Sequence, residues 1–155
     1  MADLETQDRA YRNINQYFIE RGFGPHYTEL AADLGLPPDE GRELLREVIE
    51  SGIPAWQHPG TDYIVSFPPF NSMPTQYRIS VDGKQGWFAQ CAFESLAVRW
   101  HFPGQTVRVD APCLDCGEPI VLEMCDEELL SVEPEGVVGY TYGEIGGSPE
   151  DRPYR

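Results

Sequence analysis

The stretch QYRISVDGKQGWFAQC, from Gln76 to Cys91, decides the fold because it predicts a β-hairpin. Its centre is Asp82-Gly83, a dipeptide that favours two-residue hairpin turns. The residues from Phe88 to about Trp100 fit a helix. QTVRVDAP and EPIVLEM predict strands on either side of a Cys-x-x-Cys-Gly turn, and LLSVEP and GVVGYTY predict further strands. The predicted fold class is therefore α+β, in which a helix carrying Cys91 packs on a small mixed or antiparallel sheet.

Ahead of this hairpin, the chain predicts a winged-helix-like helical subdomain. A first helix spans Asp3 to Gly22. YTELAADLGLPPDEGRELLREVIESG then predicts two short helices joined by a turn at Gly35, the first capped by Thr28. IPAWQHPGTDYIVSF alternates around a His-Pro-Gly turn, as a hairpin wing would.

Composition shifts divide the chain into three predicted parts. PPFNSMPT is typical of a linker, because clustered Pro, Asn and Ser interrupt any periodicity. The helical subdomain is expected to occupy residues 1–70 and the α+β core residues 71–142. Residues 143–155, GEIGGSPEDRPYR, are polar and rich in Gly and Pro, which predicts a flexible tail.

The charge of the chain argues against a nucleic-acid partner. The sequence has 26 acidic and 11 basic side chains and a net charge of −15. The second helix of the helix-turn-helix pattern, residues 39–50, carries five acidic and two basic side chains, net −3. A phosphate backbone would repel such a helix.

Other features of the composition exclude a membrane partner and favour a cytoplasmic protein. No stretch approaches the roughly 20 apolar residues that span a bilayer. The N-terminus, MADLETQDRAYRNINQYF, lacks the basic start and apolar run of a secretory signal. In a cytoplasmic protein the four cysteines would be thiols, metal ligands or catalytic groups rather than disulfides.

Cys91 and Glu94 form the first candidate site. Residues three apart lie on one helix face, and the neighbouring side chains are largely apolar. A thiolate captures soft metals, and a carboxyl in an apolar setting has a raised pKa and can donate a proton. The pair would suit protonolysis of a carbon–metal bond, and we expect Cys91 to be the most reactive thiol. The alternative is a buried, inert cysteine beside a glutamate that reaches solvent.

The CLDCG turn, with Cys113 and Cys116, is the second candidate site. A structural zinc site requires further ligands, which only folding could supply from Cys91, Cys125 or a histidine. A redox role would require the pair at the start of a helix. A third option is that Cys113 or Cys116 approaches Cys91, giving a site with two or three thiols that favours Hg(II), Cu(I) or Zn(II). The histidines considered as zinc ligands are His26, His58 and His101.

GWFAQCAFESLAV, GQTVRVDAPCLDCGEPIVLEM and LLSVEPEGVVGYTYG together resemble the core of alkylmercury (organomercurial) lyases over roughly residues 76–142. The resemblance implies that Cys91 is the first catalytic cysteine, which binds mercury. It places Glu94 where the family has a proton-shuttling aspartate, and Cys113 at a cysteine that is structural in the family. Cys116 and Cys125 have no counterparts, and the family's second catalytic cysteine lies further downstream, without a match in these 155 residues.

The resemblance implies an alkylmercury lyase-like enzyme that cleaves a carbon–mercury bond by thiolate attack and protonolysis. Its catalytic residues would be Cys91 and Glu94. Its metal-binding residues would be Cys91, Cys113 and Cys116, with Cys125 as a further candidate. No organic cofactor is expected, only a soft metal: mercury as substrate or product, or zinc. The expected partners are a small organometal or thiol-reactive substrate and exogenous thiols. The alternative function is that of a non-catalytic thiol module that binds a soft metal or a thiol-reactive small molecule, as a sensor or interaction domain.

Overall fold

In the computed structural model, residues 2–140 are described and form two compact units, one running up to Pro68 and the other beginning at Pro69. The predicted tail, residues 143–155, lies outside the described residues. Within the described chain, no helix is long and apolar enough to cross a membrane.

The first unit begins with three helices, at the positions that the sequence predicts. Helix α1 is capped by Asp3, whose carboxylate accepts the Thr6 N–H at 2.7 Å, and it ends at Gly22 in the left-handed conformation. The turn between the next two helices is made by Gly35, with φ 72°. The helices are α1 (Leu4–Arg21), α2 (Tyr27–Leu34) and α3 (Pro38–Glu50).

The prediction that Thr28 caps α2 is wrong. The helix begins two residues earlier than that cap implies, at Tyr27, and its cap is His26. The His26 ring accepts the Thr28 N–H at 3.4 Å, while the Glu29 carboxylate accepts the His26 N–H at 2.8 Å. Histidine is not among the usual capping residues, so the sequence favoured the threonine instead.

A short hairpin, β1 (Trp56–Gln57) and β2 (Ile64–Phe67), completes the first unit, and the strands pair antiparallel as predicted. Its loop is tied to α3 by Asp62, which accepts bonds from Arg42 at 2.6 and 2.9 Å. The winged-helix comparison itself remains a prediction.

The second unit contains six described strands with antiparallel pairing, in the spatial order β3-β5-β4-β6-β7-β8. The predicted hairpin turn is present, with Asp82 at φ 47° and Gly83 at φ 79°. Between residues 136 and 140 no strand forms, contrary to the prediction, and residues 141 and 142 lie outside the described chain. The strands are β3 (Phe70–Asn71), β4 (Tyr77–Val81), β5 (Lys84–Ala89), β6 (Thr106–Pro112), β7 (Pro119–Cys125) and β8 (Glu128–Glu133).

Two further predictions about the second unit are wrong. The segment assigned to a linker contains β3, whose Asn71 pairs with Phe88 of β5. The helix predicted from Phe88 to Trp100 is shorter: β5 continues to Ala89, α4 covers Ala92–Ala97, and a 3-10 turn follows at Val98–His101. Cys91 therefore lies just before the helix rather than within it. The α+β class is confirmed.

Candidate functional site

Cys91 occupies the N-cap of α4, between the end of β5 and the first helical residue. Its backbone is extended, with φ −139° and ψ 170°, and its Sγ accepts the Glu94 N–H at 3.5 Å. The Cys91 carbonyl accepts the Ser95 N–H at 3.0 Å, which closes the first turn. A helix start is usually capped by the oxygen of Ser, Thr, Asp or Asn. Here a sulfur takes that position.

Glu94 is the third residue of α4, and its carboxyl is turned back toward the cap. Burial raises the pKa of Glu94 to about 7, although the backbone N–H groups of Cys91 and Gln90 oppose the rise. Its Oε2 is buried and finds no hydrogen-bond partner among residues 2–140. The Cys91 thiol accepts the N–H of this third helical residue, and the Cys91 and Gln90 N–H groups favour the ionised form of its carboxyl. The structure thus brings Cys91 and Glu94 together through a cap rather than along a helix face.

The two groups influence each other's protonation. Burial is the main reason that the pKa of the Cys91 thiol is raised, and the charge of Glu94 adds to it. The N–H groups of Glu94 and Phe93 act in the opposite direction by stabilising the thiolate. At neutral pH Cys91 is therefore mostly a thiol, next to a carboxyl that is close to half protonated. Of the two groups, the carboxyl is therefore the stronger acid.

The chain following β8 reaches α4. A Cβ placed on Gly139 would lie 3.3 Å from Cζ of Phe93, so the backbone there passes close to the phenyl ring. Phe93 is nevertheless 50% exposed. The sequence analysis did not predict this contact between the backbone at Gly139 and Phe93. The glycine among the larger residues of VVGY could have indicated it, because glycine allows a close approach of the backbone.

Arg99 and His101, in the 3-10 turn after α4, were not assigned to the candidate active site. The Arg99 side chain is only 13% exposed, donates to the Leu96 carbonyl and forms an ion pair with Glu127 at 3.3 Å. His101 is half-buried against Phe70, with ring centroids 5.2 Å apart, and burial lowers its pKa.

The remaining cysteines lie on the β6–β7 hairpin. Cys113 and Cys116 share the loop between these strands, and all four cysteines are free thiols. Cys125 ends β7 beside Asp126, whose carboxylate lies 4.0 Å from its Sγ. Among residues 2–140, no three Cys, His, Asp or Glu side chains lie where they could hold one metal ion. A site that combines Cys91 with Cys113 and Cys116, or a zinc site, therefore gains no support.

The second unit matches the family model of alkylmercury lyase (MerB) over residues 70–144. The chain is 30% identical over 113 residues to alkylmercury lyases of Bacillus cereus and Clostridium butyricum. These alignments cover 71% of this chain and 47% of each relative, so the chain spans about half the length of the curated relatives it matches.

A solved structure described as the mercury-bound form of MerB2 has a similar fold. The TM-score is 0.62 at 16% identity, covering 86% of this chain and 69% of that one. On the family model and the relatives at 30% identity, this chain belongs to the alkylmercury lyase family.

Proposed function

We propose that this protein cleaves the carbon–mercury bond of organomercurials, with Cys91 as the mercury-binding nucleophile and Glu94 as the proton donor. The observation that carries the proposal is the pairing, at the start of α4, of a thiol with a buried carboxyl whose pKa is about 7. Family membership supports it, because relatives at 30% identity are named alkylmercury lyases. The same match favours an enzyme over a non-catalytic thiol module.

In the first step, Cys91 displaces the leaving group from mercury in a compound R–Hg–X. The thiol proton passes to the Glu94 carboxylate, the sulfur–mercury bond forms, and X⁻ departs. The Glu94 and Phe93 N–H groups stabilise the developing thiolate. Because mercury is a soft metal, sulfur binds it far better than the carboxylate oxygen does.

In the second step, Glu94 delivers its proton to the carbon. The electron pair of the carbon–mercury bond becomes the new carbon–hydrogen bond, and the hydrocarbon RH leaves. An exogenous thiolate then binds the mercury, so that Hg(II) is held by Cys91 and one external sulfur. A second external thiolate displaces Cys91 and regenerates the enzyme. Burial suits Glu94 to this role, because a carboxyl that stays protonated near neutral pH is an effective acid.

We propose that the first unit serves packing or association rather than this chemistry. We retain the winged-helix-like description for residues 1–70 and the catalytic core for residues 71–142. Both arginines of α3 are already ion-paired, Arg42 with Asp62 at 2.6 Å and Arg46 with Glu43 at 3.2 Å. This acidic helix is unsuited to a phosphate backbone.

The test is hydrocarbon release from a simple arylmercury compound in excess thiol, followed by gas chromatography of the headspace. The wild type should turn over, and Cys91→Ser should not, because a hydroxyl is a poor ligand for mercury. Cys125→Ser is the matched control, since it removes a thiol at the end of β7. Stoichiometric mercury binding by the wild type without hydrocarbon release would refute the lyase proposal.

A further inference from the structure

The loop between β6 and β7 is closed tightly around two thiols. The last strand pair is Pro112 with Pro119. Beyond it, the Cys113 N–H donates to the Glu118 carbonyl at 2.8 Å, and the Gly117 N–H donates to the Cys113 carbonyl at 2.9 Å. Gly117 adopts φ 77°, a conformation that favours glycine. The six residues from Cys113 to Glu118 therefore form a fixed turn.

The turn holds Cys113 and Cys116 within one closed loop. The N–H groups of Cys116 and Asp115, and after them the Cys116 thiol, lower the pKa of Cys113. Cys113 is half-buried, whereas Cys116 is exposed. An entering metal ion would meet one open sulfur and one sulfur whose deprotonation the turn favours.

Coordination number decides which ions such a pair can hold. Zinc in structural sites takes four ligands. Within residues 2–140 no third Cys, His, Asp or Glu joins this pair in a metal-binding group. Soft ions that are satisfied by two sulfurs in a near-linear arrangement need no third ligand. The carboxylates of Asp115 and Glu118 add negative charge that attracts a cation.

We propose that Cys113 and Cys116 form a two-thiolate site for one Hg(II) ion, separate from Cys91. Binding exchanges two sulfur–hydrogen bonds for two sulfur–mercury bonds and releases two protons. No oxidant or reductant takes part. The site does not depend on the proposed lyase activity; only its use as an acceptor for the Hg(II) produced at Cys91 rests on that function.

The experiment uses the full chain with Cys91→Ser, which removes the proposed catalytic thiol and leaves three cysteines. Hg(II) is titrated into the reduced protein against a monothiol competitor. Native mass spectrometry and the ultraviolet sulfur–mercury absorption give the stoichiometry. We expect one Hg(II) per chain, with two protons lost. Because this variant cannot perform the proposed catalysis, the result is independent of whether the wild type is a lyase.

Two further variants form a matched pair in the Cys91→Ser background, since each removes one of the three remaining thiols. Cys116→Ser should weaken Hg(II) binding by at least about tenfold when the monothiol is near 0.1 mM, because tethering gives the second sulfur an effective concentration in the millimolar range. Cys125→Ser should leave binding unchanged. Cys116 is exposed, so its replacement by serine should not disturb folding, which circular dichroism checks.

Several results would overturn the assignment. Equal weakening by both variants would show that Cys125 is also a ligand, and no weakening by Cys116→Ser would show that the pair does not act together. One Hg(II) shared by two chains would place the site between molecules. Zinc bound at one ion per chain in competition with the same monothiol would mean that more than two ligands are present.

Discussion

Replacing Glu94 by glutamine should stop hydrocarbon release while leaving mercury binding at Cys91 intact. The amide has almost the same size as the carboxyl, so α4 and the cap at Cys91 should keep their geometry. What changes is the acid, because an amide cannot supply the proton that the carbon requires. The variant should therefore accumulate protein in which Cys91 carries the organomercury group.

The pKa of Glu94 sets the expected magnitude. At pH 7 a carboxyl with a pKa of about 7 is half protonated, whereas one at the ordinary value of 4.5 is protonated to roughly 0.3%. Burial thus raises the population of the proton donor roughly 150-fold. General acid catalysis typically contributes about 100- to 10,000-fold to a rate, so we expect Glu94→Gln to lose an amount in that range.

The assay is a single turnover. One equivalent of arylmercury is mixed with the protein in the absence of external thiol, and benzene is measured by gas chromatography as it is released. In the loaded protein Cys91 has no proton left to titrate, so the pH dependence reports Glu94. Protonated Glu94 is the active form and is lost as pH rises through about 7, so the rate should fall about tenfold per pH unit well above that value.

Glu128→Gln provides the control, because Glu128 is an exposed carboxyl at the start of β8. It should release hydrocarbon at the wild-type rate. A loss of less than about tenfold in Glu94→Gln would contradict the assignment of Glu94 as the general acid. So would a wild-type rate that stays level from about pH 6 to pH 9.

Three further predictions concern thiol reactivity, packing and charge. Brief alkylation at neutral pH should label Cys113 before Cys91, because the pKa of Cys113 is lowered and that of Cys91 is raised. Mass spectrometry would show this order. It is the reverse of the order expected from the sequence. Gly41→Ala should lower the free energy of unfolding by about 1–3 kcal/mol in urea titrations, because its Cβ would lie 2.4 Å from that of Ala31. Gly86→Ala, with no described atom within 4 Å of the new Cβ, should change it by less than about 0.5 kcal/mol. Fluorescence titration with duplex DNA at low salt should detect no submicromolar binding, since α3 is acidic and both its arginines are ion-paired.

Local turn chemistry made much of the fold predictable. Gly22, Gly35 and the Asp82-Gly83 dipeptide all adopt positive φ, which few other residues tolerate, and each marks an element boundary that the sequence alone predicts. The acidic cap Asp3 marks the start of α1 in the same way. Turn and capping preferences depend only on residues that are close in sequence, so they can be recognised without the tertiary structure.

The boundary around Cys91 could not be predicted because tertiary pairing decides it. The apolar run from Phe88 onward is compatible with either a strand or a helix. Ala89 belongs to β5 because it pairs with Tyr77 of β4, and Trp87 of the same strand is buried. The helix can begin only after this pairing ends. β3 was missed because a strand of two residues is too short to show any periodicity.

The capping geometry also gives a physical reason for glutamate at a position where the resemblance leads one to expect aspartate. Glutamate at the third helical position is long enough to turn back toward the start of its helix. Glu94 interacts with the N–H of Cys91 while its own N–H approaches the Cys91 sulfur at 3.5 Å. The extra methylene therefore lets the carboxyl lie close to the thiol instead of removing it from the site. Oε2 has no hydrogen-bond partner among residues 2–140, so it is available to carry a proton. The longer acid is thus compatible with the proton transfer proposed for it.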